Sequence, residues 1–283
     1  MTGYLMLAAA DGLIGCQFLF NSGFIRRTGD SFRNALCFNT LSYLAACVLL
    51  FIVNGFRFEF TLFTFLMSLW SAANGLVLTF CSAKALMKID LSLYSVFMML
   101  GGMAVPFAGG LLFFGEKLTL GKALCFAATA AALFLTVGKG EKKGGWYWYA
   151  GLFTLNGMNG IISKIFTDSS QPKASAAGYS LLTSIIILCV SAAALFITRR
   201  PRINGLKRSF YFAFGHGVCS SGANLLILKA LVGLPASAQY PFITGGSMIV
   251  STLIGFLTPQ KPNRREVISV VVSFAGILAL LLL

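Results

Sequence analysis

The sequence predicts an all-α membrane protein: ten transmembrane helices arranged as two inverted five-helix repeats. Three observations carry this. The 283 residues are 57% apolar and only 11% charged, against about 25% charged in an ordinary soluble domain. The apolar residues fall in blocks long enough to cross a hydrocarbon core, which takes about 20 of them as a helix. One segment also recurs 145 residues further along the chain.

The blocks are read as spans at 3–24, 34–53, 62–83, 90–112, 119–137, 146–166, 175–197, 209–231, 235–257 and 265–283. They cover most of the chain, so no soluble domain is expected to do separate chemistry. No basic stretch precedes the first block and further spans follow it, so it reads as a retained helix rather than a cleaved signal peptide. The fourth span carries Gly101, Gly102, Gly109 and Gly110, and the ninth carries Gly245, Gly246, Ser247 and Gly255. Small residues let helix backbones approach closely, and these two sets are expected to pack tightly about an axis between the halves. Pro241 removes a backbone donor and is expected to kink the ninth helix. Thr119 is placed to cap the fifth helix. Glu116, in the turn before it, is expected to be wet and to play a structural part at that helix start. The seven cysteines, Cys16, Cys37, Cys47, Cys81, Cys125, Cys189 and Cys219, all lie in spans and form no CxxC pair. Buried thiols of this kind act as small apolar residues, and neither a metal nor a cofactor is expected.

The net charge of +14 does not point to nucleic acid. The basic residues sit in short loops between apolar blocks, which is how membrane proteins are oriented. Alternate loops divide them unequally. Sixteen fall in the odd-numbered loops, from Arg26, Arg27 and Arg33 through Lys139 and Arg199 to Arg265; six, Arg57, Lys117, Lys122, Lys164, Lys173 and Lys229, fall in the even ones. This bias places the odd loops in the cytoplasm and both termini outside.

The repeat is ungapped over its clearest stretch. Shifted by 145, Lys84-Ala85-Leu86 falls on Lys229-Ala230-Leu231, Ser92 on Ser237, Phe97 on Phe242, Gly101 on Gly246, Met103 on Met248 and Gly110 on Gly255. A weaker echo pairs Asn21–Ser31 with Asn159–Ser169. The halves are therefore 1–140 and 145–283, five helices each. Five is odd, so the second half begins on the opposite face and the halves must be inverted. Inverted repeats characterise many transporters, whose substrate site lies near the midplane between them.

The segment from Ser92 to Gly138 resembles the EamA repeat of the drug/metabolite transporter superfamily. The likeness rests on Pro106 in the fourth helix, the turn Gly115-Glu116-Lys117-Leu118-Thr119, and a following helix rich in small residues: Gly121, Ala127, Ala128, Ala130 and Ala131. In the second half Ser251, Gln260 and Lys261 stand where Pro106, Gly115 and Glu116 stand in the first, with Glu266 offering an acid near the tenth helix. The resemblance implies a secondary transporter that moves small metabolites or drugs across the cell (inner) membrane by alternating access. It also implies cytoplasmic termini for typical ten-helix members, against the charge count of this sequence.

Polar groups at mid-membrane depth are costly and are candidates for function. Asp11 is the one acid well inside a span, as a proton-titrating carboxylate or a counter-charge for a cationic substrate; a hydrogen bond to a neighbouring helix is the plainer reading. His216, Ser220 and Asn224 share a face of the eighth helix, Trp70 and Asn74 a face of the third, and Asn156, Asn159 and Ser163 a face of the sixth. Interhelical hydrogen bonding, worth about 0.6 kcal/mol per contact, explains each stripe taken singly; the three together point to a cavity. Gln239 and Tyr240, before Pro241, are expected to reach it. The partners implied are a small-molecule substrate, the lipid bilayer and protons as a coupling ion. An enzyme is not expected, since one histidine and one buried acid offer no catalytic cluster. No GxxxxGK[ST] loop is present, so uphill work would come from a gradient. A lipid-carrier flippase or an accessory membrane subunit of the same fold is the competing reading.

Overall fold

The structure is a computed structural model that describes residues 2–28, 32–86, 91–136, 146–197, 206–257 and 263–283. It is all-helical. Among the described residues there are ten helices: α1 (Thr2–Thr28), α2 (Phe32–Val53), α3 (Leu62–Leu86), α4 (Leu91–Phe113), α5 (Leu120–Leu135), α6 (Trp146–Asp168), α7 (Ala176–Ile197), α8 (Leu206–Leu231), α9 (Ala236–Leu257) and α10 (Arg264–Leu282). Each falls on one of the ten apolar blocks. The largest difference is at α1, which continues through Arg26 and Arg27 to Thr28. Long basic side chains can carry a helix past its apolar stretch, because their stems lie on apolar surface while the charge reaches water.

Among the described residues, six helices, α1, α2, α3, α4, α7 and α10, are long and apolar enough to cross a membrane. The other four differ for two reasons. Helix α5 has only 16 residues. Helices α6, α8 and α9 carry polar residues within their length, among them Asn156, Asn159, His216, Asn224 and Gln239. The loops with Lys88, Lys139, Lys142, Lys143, Arg199, Arg200, Arg202 and Lys261, on which the charge bias mostly rests, lie outside the described residues, as does Gln260.

The chain forms two compact units: Met1–Asp11, Ala73–Ser169 and Ala230–Leu283 in the first, Gly12–Ala72 and Ser170–Lys229 in the second. Each takes residues from both halves of the sequence. In the first unit, Leu78, Ala85 and Leu152 form one apolar cluster with Tyr94, Met98 and Trp148 around them. Val96, Ala132, Leu133 and Met248 form another. In the second unit, Leu50, Ala177, Leu181 and Leu225 join α2, α7 and α8, and Phe24, Phe38 and Ala213 join α1, α2 and α8.

Lipid tails are as apolar as leucine, so close packing and hydrogen bonds must hold such helices together. The glycines of α4 and α9 do this with partners other than those expected. On α4, Gly101, Gly102 and Gly109 face Phe153, Asn156 and Ile161 of α6. On α9, Gly245 faces Thr129 of α5 and Ile277 of α10, and Gly246 faces Asp11 of α1. Gly110 looks towards α9, where a Cβ would lie 3.3 Å from the Ser237 nitrogen. The small residues thus seat α4 on α6 and α9 on α1, α5 and α10, while α4 and α9 also pack on one another through Val96 and Met248.

Candidate functional site

In the first unit, Asp11 projects from α1 onto α9. It is 2% exposed, and its carboxyl group lies where a side chain on Gly246 would otherwise stand. Its Oδ1 is buried with no hydrogen-bond partner among the described residues. The plainer expectation, a carboxylate bonded to a neighbouring helix, finds no bond at Oδ1 among the described residues. A buried carboxylate without donors is unfavourable unless it takes up a proton or a cation.

The asparagine stripe of α6 is engaged in helix packing. Asn74 Nδ2 donates to Asn159 Oδ1 at 2.8 Å and to the Leu155 carbonyl at 2.9 Å, which uses both of its amide hydrogens. Asn156 Nδ2 donates to the Met98 carbonyl of α4 at 2.6 Å. Tyr240 donates its hydroxyl proton to the Gly160 carbonyl at 3.2 Å, so α9 joins the same stretch of α6. Gln239 is fully buried. Asn74, Asn156, Asn159 and Tyr240 thus converge on residues 155–160 of α6, and hydrogen bonding between helices accounts for their contacts.

In the second unit, His216 packs its ring on Phe38 at 4.7 Å between centroids, and its Nδ1 is buried without a hydrogen-bond partner among the described residues. Beside it, Ser42 Oγ donates to the Ala213 carbonyl at 2.9 Å. Asn224 is exposed and its Nδ2 approaches Ser180 Oγ at 3.4 Å, a long contact. Ser220 is half-buried. Trp70 is 42% exposed.

A charged cluster that the sequence did not assemble lies at one end of the first unit. Gly115, at φ +63°, turns the chain after α4, a conformation that costs glycine little. The turn is closed by the Glu116 N–H donating to the Gly110 carbonyl at 3.0 Å. Thr119 caps α5 as expected, accepting from the Lys122 N–H at 3.3 Å. Glu116 does not serve that helix. Its carboxylate accepts from the Ala236 N–H at 2.7 Å, the Ser237 N–H at 2.8 Å and the Ser237 hydroxyl at 2.5 Å. It therefore caps α9, where the helix dipole favours an anion. Lys164 Nζ stands 3.5 Å from Glu116 and 3.0 Å from Asp168, and 5.7 Å from the centre of the Phe114 ring. The Glu116 and Lys164 side chains are each only 8% exposed, so the expectation of a wet carboxylate is corrected. Lys164 is not a loop cation but lies within α6; a lysine four residues before the end of the helix, with Asp168 at i+4, is the sequence signal for a buried pair.

Burial alone would raise the Glu116 pKa. The hydrogen bonds from Ser237 and Ala236, together with the Lys164 charge, outweigh it and hold the pKa below its ordinary 4.5. The stabilisation is therefore fully present above pH 4.5 and is lost as the pH falls through the depressed value. The expected result is a gap in unfolding temperature between wild type and Glu116→Gln that stays constant from about pH 8 to about pH 5 and closes below about pH 4. Thermal unfolding in detergent across that range measures it, and a gap that widens on acidification would contradict the assignment.

The fold and these groups define a class: an all-helical protein with, among the described residues, six helices fit to cross a membrane and with polar and charged groups buried among its helices. No protein-family model and no curated protein matches the sequence. A solved structure described only as a crystal structure of protein shares the fold, with a TM-score of 0.74 and 13% identity over 98% of this chain and 95% of the other. At that identity the likeness speaks to fold alone.

Proposed function

We propose that the chain is a secondary transporter of the EamA drug/metabolite kind. It moves small metabolites or drugs across the cell membrane by alternating access. In this reading all ten helices cross the bilayer, and 1–140 and 145–283 are inverted repeats that exchange inward-open and outward-open shapes. Asp11 carries the reading. It is a carboxylate, 2% exposed, whose buried Oδ1 has no hydrogen-bond partner among the described residues, in a helix fit to span a membrane. Such a group is retained at a cost and marks ion or substrate pathways. Binding and release of a proton or of a cationic solute would let Asp11 tie a gradient to movement.

The experiment is flux into proteoliposomes carrying the purified protein, with a panel of amino acids, other metabolites and organic cations, and with a proton gradient of either sign. The expected result is saturable uptake of a restricted solute class that responds to the gradient. A protein that is folded and correctly inserted but moves nothing in the panel, while speeding lipid exchange between leaflets, would favour the flippase reading instead.

A further inference from the structure

Glu116 joins three chain segments of the first unit. It follows α4, it caps the start of α9, and it pairs with Lys164 near the end of α6. Gly110 makes room for it: a Cβ there would lie 2.5 Å from Glu116 Oε2. The parts are a glycine on α4, an acid in the following turn and a serine at the start of α9. The repeat keeps two of the three in its other copy. Under the shift of 145, Gly110 corresponds to Gly255 and Ser237 to Ser92, but Glu116 corresponds to Lys261. A lysine has donors only and cannot accept from the N–H groups of a helix start. The aligned position thus carries no acceptor in the other copy, and the nearby Glu266 is engaged at its own helix, accepting from the Asn263 N–H at 3.0 Å at the start of α10.

We propose that Glu116 is a one-sided conformational latch, its carboxylate seated between Gly110 and the Ala236–Ser237 start of α9 and paired with Lys164. It makes the arrangement with these three helix ends held together the resting state. The other copy of the repeat lacks the acid, so the two halves of the cycle are unequal in energy. The latch belongs to the transport reading, in which α9 must come free of the α4–α5 turn when the protein changes state, but its existence is testable without any substrate.

Spin labels at Lys117→Cys and Val232→Cys, both exposed and flanking the latch, report the separation of the turn from α9 by pulsed electron resonance, with the native cysteines replaced. Wild type is expected to give one dominant short distance. Bonds to a charged group are stronger than neutral ones, so Glu116→Gln is expected to raise the ratio of long to short distances about tenfold. Ser237→Ala removes one donor and keeps the carboxylate, and is expected to raise it about threefold. A folded Glu116→Gln protein with the wild-type distance distribution overturns the latch. If Glu116→Gln does not fold, Ser237→Ala decides: a rise supports the latch, and an unchanged distribution overturns it. Distances that shift as expected in a protein that moves no solute would leave the latch standing and remove the transport reading. Measured flux with unmoved distances would do the reverse.

Discussion

Asp11→Asn is expected to reduce gradient-driven uptake to background while solute exchange without a gradient persists. The substitution keeps the size of the side chain and removes its ability to carry a negative charge or to take up a proton at working pH. Asp11 Oδ1 has no hydrogen bond among the described residues to lose, so insertion and unfolding temperature should stay close to wild type. Paired flux measurements, one with a proton gradient and one with equal solute on both sides, separate coupling from movement. Normal gradient-driven uptake by the variant would show that Asp11 does not couple. Loss of both activities in a folded protein would instead make it part of the solute site, and loss of insertion would make it structural.

Gly101→Ala is expected to destabilise the first unit by about 1–3 kcal/mol, as overpacking does. The added methyl would press on the Phe153 carbonyl oxygen and stand 2.5 Å from its Cα and 2.7 Å from its carbonyl carbon. These are backbone atoms of α6, so no rotamer change relieves the clash and the helices must separate. Gly75→Ala is the control, because nothing lies within 4 Å of its added carbon. There the better helix propensity of alanine should be neutral or should stabilise by up to about 1 kcal/mol. Thermal unfolding of both variants in the same detergent makes the comparison. A Gly101→Ala protein as stable as Gly75→Ala would mean that α4 and α6 do not approach as closely as they do here.

The polar candidates show where reading a single chain succeeds and where it stops. Hydropathy with i, i+3 and i, i+4 spacing assigns Asn74, Asn156 and Asn159 to helix faces, since both are properties of one helix. What those faces meet is not local. Asn74 bonds a residue 85 positions away and Asn156 one 58 positions away, and those contacts account for the amides without a solute. Glu116 was legible as a structural acid beside a turn. Its partners, 120 and 121 residues away, were not, because nothing in the sequence near α5 distinguishes capping that helix from capping α9.

The sequence by itself determined the ten helices, their limits to within a few residues, the Thr119 cap and the burial of an acid at position 11. Each follows from apolar runs, capping chemistry or chain length, which act within one or two helical turns. Only the tertiary structure decided that Gly101 seats α4 on α6, that Asp11 fits against Gly246, and that Lys164 and Ser237 hold Glu116. Those choices depend on which helix backbones come close enough for a methyl group to matter. In a chain whose helices are mostly apolar, that selection is made by shape and by a few hydrogen bonds between distant segments, not by hydropathy.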